Sequence, residues 1–193
     1  MTFLTLIIIL SVFTASLFLR GRFFWPKVVR YSFCLSILVI FILLLLFSFL
    51  QFTEWKNSEV SQYLLPPHQP ISYFIFHSFN QFFLSYLLSF GFALVFLYSA
   101  KIFNRKYKER FFEIEEPYLG ALGIFLSGWP GLLFYIIFLL VFYLLFHISL
   151  LFSARSSSFR ISLYYLWLPT ALFAIIINDV YFSGLGWWNI LKI

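Results

Sequence analysis

The sequence predicts an all-α membrane bundle of six transmembrane helices, built as a single domain over residues 1–193. Three observations predict it. Hydrophobic residues make up 63% of the chain and charged residues only 10%, whereas a soluble domain carries roughly 25% charged residues to wet its surface. The charges cluster between long apolar runs instead of spreading along helix faces, as expected of a chain whose main solvent is lipid. Most of those runs reach the roughly 17–25 residues needed to cross hydrocarbon.

The first segment, Thr2–Leu19, reads as a spanning helix. Met1 to Leu6 carries no Lys or Arg, and Arg20 and Arg22 follow the apolar stretch, the reverse of a secretory leader. The second, Tyr31–Phe52, contains the single cysteine, Cys34, expected as a small buried hydrophobe. One cysteine excludes an intrachain disulfide, and no metal-ligand spacing accompanies it, so neither metal nor cofactor is expected. The connector Thr53–Ile71 holds Leu65-Pro66-Pro67-His68-Gln69-Pro70, whose prolines delay the next helix to about Ser72. The third segment, Ser72–Ala100, is longer than a bilayer demands and should tilt or project into water. The fourth, Tyr118–Trp129, is short and bounded by Pro117 and Pro130, which leaves a squat span or a re-entrant helix. Gly131–Ser153 is the fifth, and Ile161–Ile177 the sixth, with a kink expected at Pro169 and a cap at Asn178 and Asp179.

Charge placement favours the squat span. With six crossings, Arg20, Arg22, Lys27 and Arg30, the basic run Lys101–Arg110, and Arg155 with Arg160 share one side, which holds eleven of the 13 Lys and Arg. The positive-inside rule makes that side cytoplasmic, with both termini outside a cell inner (plasma) membrane. A re-entrant fourth helix would send Arg155 and Arg160 outward. The net charge of +6 is then a membrane-edge feature whose partner is the lipid bilayer, and nucleic acid is excluded as a needed partner. Trp25, Trp55, Trp129, Trp187 and Trp188 fall near the predicted interfaces.

Polar side chains within spans mark the remaining candidates, because lipid cannot hydrogen-bond them. His77, Asn80 and Gln81 share a face of the third helix and read either as a polar pocket or as bonds to neighbouring helices. Gly120, Gly123 and Ser127 line the fourth helix as a small-residue packing face that lets another backbone approach. Glu113, Glu115 and Glu116 form the one dense acidic group, and Asp179 is the sole aspartate. No nucleotide-binding glycine loop, paired-histidine motif or Ser-His-Asp arrangement is visible.

The run Tyr118-Leu-Gly-Ala-Leu-Gly-Ile-Phe-Leu-Ser-Gly-Trp-Pro-Gly-Leu-Leu resembles the stretch that follows the catalytic GxGD motif of type IV prepilin peptidases. Phe18-Leu-Arg-Gly-Arg-Phe-Phe-Trp-Pro-Lys27 lies on that family's IDxxxxxLPD segment with Pro26 in register, and Arg160-Ile161 is similar to the start of its last helix. The resemblance covers nearly the whole chain and implies a prepilin-peptidase-like bundle. In that family two aspartates share a proton at the cytoplasmic edge and activate water to cleave a prepilin leader. Here their positions fall on Leu19 and Glu115, Lys27 replaces the LPD aspartate, and both GxGD glycines are gone. The resemblance therefore implies a degenerate member without aspartic endopeptidase activity, binding pilin-like or other membrane helices or serving pilus or secretion machinery. Two alternatives stand beside it: a small transporter using the His77 face, and an accessory subunit that joins a larger membrane complex through the fourth helix.

Overall fold

A computed structural model describes residues 2–108, 112–152, 163–182 and 184. The described residues form an all-helical bundle of six helices without a strand. These are α1 (Thr2–Leu19), α2 (Trp25–Asn57), α3 (Ile71–Lys106), α4 (Glu116–Ser127), α5 (Gly131–Phe152) and α6 (Leu163–Phe182).

Proline opens every helix after the first. Pro26 and Pro117 occupy the first helical turns of α2 and α4, Pro70 is the residue before α3, and Pro130 precedes Gly131 of α5. A first-turn residue has no intrahelical acceptor for its N–H, so proline starts these helices at no cost in hydrogen bonds. Pro169 obeys the same rule, which corrects the expected kink. The α-helical part of α6 begins only at Trp167, after a 3₁₀ turn over Leu163–Tyr165, so Pro169 lies in its first turn. At the other end of α6, Asn178 and Asp179 do not cap the helix; they lie in a π turn, Asn178–Phe182, that continues it.

Among the described residues, five helices are long and apolar enough to cross a membrane: α1, α2, α3, α5 and α6. Their surfaces suit lipid. Phe3, Leu35, Leu45, Phe76, Val95 and Leu140 are all exposed, an apolar area no water-soluble monomer presents. Cys34 belongs to this exposed surface and is not the buried hydrophobe expected. The fourth helix differs in kind. At twelve residues it is about 18 Å long, well short of the roughly 30 Å of hydrocarbon. The expectation of six crossings therefore reduces to six helices, five of them of crossing length.

All twelve residues of α4 are buried. It packs against each of the other five helices and forms the centre of the bundle. It runs antiparallel to α5, since Gly123 faces Tyr135 across the Gly128–Pro130 turn. Gly128 closes α4 at φ +63, a left-handed conformation that side-chain-bearing residues disfavour. Leu119, Leu122 and Phe125 of α4 join Ile9, Val29, Ile40, Leu132 and Leu168 in one continuous core.

Candidate functional site

Three segments meet at one end of the bundle: the α1–α2 connection, the α3–α4 connection and the start of α6. Arg20, just past α1, donates from Nη2 to Glu113 Oε1 at 2.7 Å, bridging the first connection to the second. Its guanidinium carbon also lies 4.0 Å from the Tyr164 ring centre and 4.6 Å from that of Tyr165, which reaches the third. Trp25, fully buried, donates from Nε1 to Tyr164 Oη at 2.7 Å. Trp25 is thus a core residue at this end, not an interfacial anchor.

The α3–α4 connection is held by short-range bonds. The buried Asn104 side chain donates to the Phe112 carbonyl at 2.8 Å and accepts the Phe112 N–H at 3.1 Å, imitating a strand partner for one residue. Buried Glu116 accepts the Glu113 N–H at 3.2 Å through Oε2. The Glu115 carbonyl accepts from Tyr118 and Leu119 and starts α4. Acidic residues suit this position, because the N-terminus of a helix carries partial positive charge.

Electrostatics divide the three glutamates. Burial works against the charged form of Arg20, but hydrogen bonds to Tyr165 and Glu113 outweigh it and hold its pKa above the ordinary value. Burial pushes the Glu115 carboxyl up, opposed by its own backbone N–H and by Arg20 but reinforced by the charge of Glu113. Glu113 is paired with Arg20 and Glu116 bonds backbone, while burial holds the Glu115 proton more tightly than usual.

Leu19 and Glu115, the positions singled out in sequence, lie on the connections that meet at this end. Leu19 is half-buried against the core, next to Arg20, while Glu115 is 8% exposed and two residues from Glu113. An acid–base pair needs a second carboxyl sharing a proton with the first, and leucine supplies none.

The other candidates lie elsewhere. His77 and Gln81 are at the opposite end of the bundle, facing α2. The His77 ring lies 5.0 Å from that of Trp55. Gln51 donates to Gln81 Oε1 at 2.8 Å and accepts from Ser78 Oγ at 3.0 Å. Asn80 is half-buried within the π turn Phe79–Phe83, whose wider turn shifts the register of the face. Gly120 and Gly123 do admit close neighbours, but these are aromatic side chains and not another backbone. A Cβ on Gly120 would meet Phe96 at 2.6 Å and Trp167 at 2.9 Å, and one on Gly123 would meet Tyr135 Oη at 2.5 Å. Ser127 donates to the Gly123 carbonyl at 2.7 Å. No group of three or more His, Cys, Asp or Glu among the described residues is placed to hold a metal ion.

Sequence reasoning missed Trp25, Asn104, Tyr164 and Tyr165. Each is an ordinary residue of a helix end in sequence, and only the convergence of the connections gives it a role. One signal was present: two adjacent tyrosines a few residues after Arg160, at an expected membrane edge. Lipid-facing apolar grooves are the remaining feature of this end. One of about 590 Å³ runs between α3 and α5, with Ile124 of α4 at its floor and Phe112 and Leu163 at its mouth. No protein-family model matches the chain, and no curated protein or solved structure is found to be similar to it.

Proposed function

We propose that this is a multi-pass inner-membrane protein of prepilin-peptidase-like design that binds an apolar membrane helix at its cytoplasmic edge and does not cleave it. The observation that carries this reading is the Arg20–Glu113 ion pair. It joins the connections bearing Leu19 and Glu115, the two positions where the resemblance puts catalytic aspartates, with one carboxyl where cleavage needs two. An ion pair and two tyrosine rings stand beside them instead.

The basic end takes the cytoplasmic side by the positive-inside rule, which leaves both termini outside. Helix α4 and the Gly128–Pro130 turn then make the sixth, shortened crossing, sheltered from lipid by the other helices. The occupant of the groove between α3 and α5 is a single apolar helix, such as the apolar helix of a pilin-like protein. Its mouth at Phe112 and Leu163 adjoins Glu113 and Tyr164 of the edge site, so a helix seated there would present its end to that site.

Two alternatives lose ground on specific residues. Helix α4 is covered by its own chain and has no face left for a larger complex. Gln81 of the transporter-like face is already bonded to Gln51.

The test is reconstitution in proteoliposomes with a prepilin from the same cell, with a photo-crosslinking residue at Val95 or Leu140 on the groove walls. Crosslinking without loss of the leader is the expected result. Leader removal that disappears in Glu115→Ala would overturn the non-cleaving assignment, and absence of crosslinking from both positions would overturn the helix-binding one.

A further inference from the structure

On the other side of α3 from the apolar groove lies a cavity of about 470 Å³ lined by Arg30, Lys101, Asn104, Arg105, Lys108 and Tyr118, with Ile114 and Pro117. Four of these are cations: Arg30 from α2, Lys101 and Arg105 from α3, and Lys108 two residues past the end of α3, with the start of α4 between the two helices. Among the described residues, none of the four is paired with a carboxylate and no carboxylate lines the cavity. Such an arrangement is self-repelling. Lys101 Nζ lies 4.4 Å and Arg30 Cζ 5.4 Å from the centre of the same buried ring, that of Tyr118. The two charges are therefore no more than about 10 Å apart, about one Debye length at 0.1 M salt, so salt screens them incompletely.

The chemistry of the lining selects the occupant. Lys101 donates to Tyr118 Oη at 2.8 Å, so the phenol uses a lone pair for Lys101 and keeps its own proton for an acceptor in the cavity. Both polar atoms of the Asn104 side chain bond Phe112, so Asn104 is held in place as part of the wall. What remains is a donor-rich, acceptor-poor recess that fits a phosphate oxygen cluster. Its depth identifies the source of that phosphate. Lys101 is the first charge after the apolar length of α3, and Arg30 the last before that of α2, so both mark the level where hydrocarbon gives way to headgroups. Basic recesses between helices at this level take anionic lipid headgroups.

We infer that the Arg30–Lys101–Arg105–Lys108 cavity is a binding site for the phosphate headgroup of an anionic phospholipid. Bound there, the headgroup bridges α2 and α3 through their cations and relieves the repulsion around Tyr118. The site stands whether or not the protein binds a membrane helix.

The test is a titration of the full-length protein in neutral detergent, following the rise in thermal unfolding temperature with added phosphatidylglycerol, phosphatidylcholine or free glycerol phosphate. Phosphatidylglycerol should stabilise at concentrations where the other two do not. Each cavity charge removed should weaken its half-saturation about fivefold, at about 1 kcal/mol per basic residue. The K101Q/R105Q double variant should therefore need about twenty-five times more lipid. Arg30→Gln, changed alone on the opposite wall, supplies an independent reading should that double variant fold poorly. Lys27→Gln, a basic residue outside the cavity, should leave the titration within about twofold. Equal stabilisation by phosphatidylcholine would overturn the site, and so would an unchanged titration in both cavity variants. An equal loss in Lys27→Gln would reduce it to diffuse surface charge, and equal stabilisation by glycerol phosphate would assign it to a soluble anion.

Discussion

The two ends of the bundle are stitched by different chemistry. At one, charges and aromatic rings join three connections: Arg20 with Glu113, Tyr164 and Tyr165, and Trp25 with Tyr164. At the other, neutral amides and a hydroxyl join two helices, Gln51 with Gln81 and Ser78, beside the Trp55–His77 contact. The amide and hydroxyl contacts cost less to desolvate than charges, while Glu54 and Lys56 beside Trp55 mark that end, too, as a membrane edge. The charged end must reach water or headgroups, since an unpaired charge in hydrocarbon is expensive. Charge position thus records how far each end projects, and α4, whose Glu-rich start belongs to the charged end, is the element that ties both to one core.

The strongest way to break the comparison is to remove that common element. Gly123→Leu would drive a side chain into Tyr135, which is fully buried and cannot swing aside. Overpacking of this kind costs about 1–3 kcal/mol or more, and loss of a monodisperse peak in detergent, together with a lowered unfolding temperature, is the expected readout. Gly120→Leu should behave alike, against Phe96 and Trp167.

Next in size is the buried bond of the charged end. Trp25→Phe keeps the packing but removes the donor to Tyr164 Oη, at a cost of about 1–2 kcal/mol in thermal unfolding. The corresponding cut at the neutral end, Gln51→Leu, should cost less. Interhelical hydrogen bonds within membranes average about 0.6 kcal/mol, and the added apolar side chain offsets part of that. If Gln51→Leu proved more damaging than Trp25→Phe, the neutral end would be the structural one.

The ion pair itself should matter little for stability. Its side chains are 25% and 44% exposed, so Glu113→Gln is expected to cost under about 1 kcal/mol. A double-variant cycle with Arg20→Gln separates the pair from the stacking of Arg20 on Tyr164 and Tyr165.

The smallest and most diagnostic effect belongs to Glu115. Its folded-state pKa lies above the unfolded value, so the folded protein holds this proton more tightly and gains stability as pH falls towards the ordinary glutamate range. Once pH rises above the folded value, that stabilisation is lost and the ionised carboxylate is a burden. Glu115→Gln should therefore unfold at a slightly higher temperature than the parent at pH above that raised value. The advantage should shrink as pH is lowered through the raised pKa. An advantage independent of pH would show that Glu115 is not the group responsible.

Much of the architecture was legible in the sequence because lipid imposes a simple rule: backbone groups must be satisfied within the segment, so long apolar runs become helices. Thr2–Leu19 agrees to the residue, and Gly131–Phe152 agrees as far as the described residues reach, Ser153 of the expected Gly131–Ser153 lying outside them. Proline, read as a delay before α3 and a boundary of α4, punctuates every later helix start as well. Where proline was read as a kink, at Pro169, the error came from placing the helix start too early in the sequence.

The site was less legible. The sequence by itself determined the apolar helices, the clustering of cations between them and the absence of aspartate from every position but 179, since each depends only on local composition. It could not determine that Arg20 meets Glu113 across 93 positions, that Trp25 meets Tyr164 across 139, or that Arg30 and Lys101 share one tyrosine ring. Nor could it show that the glycines of α4 accommodate Phe96, Trp167 and Tyr135. Those pairings depend on which helix faces which, and lipid leaves that choice to shape: helices are equally soluble on every apolar face, and only close packing and the few polar bonds select among them.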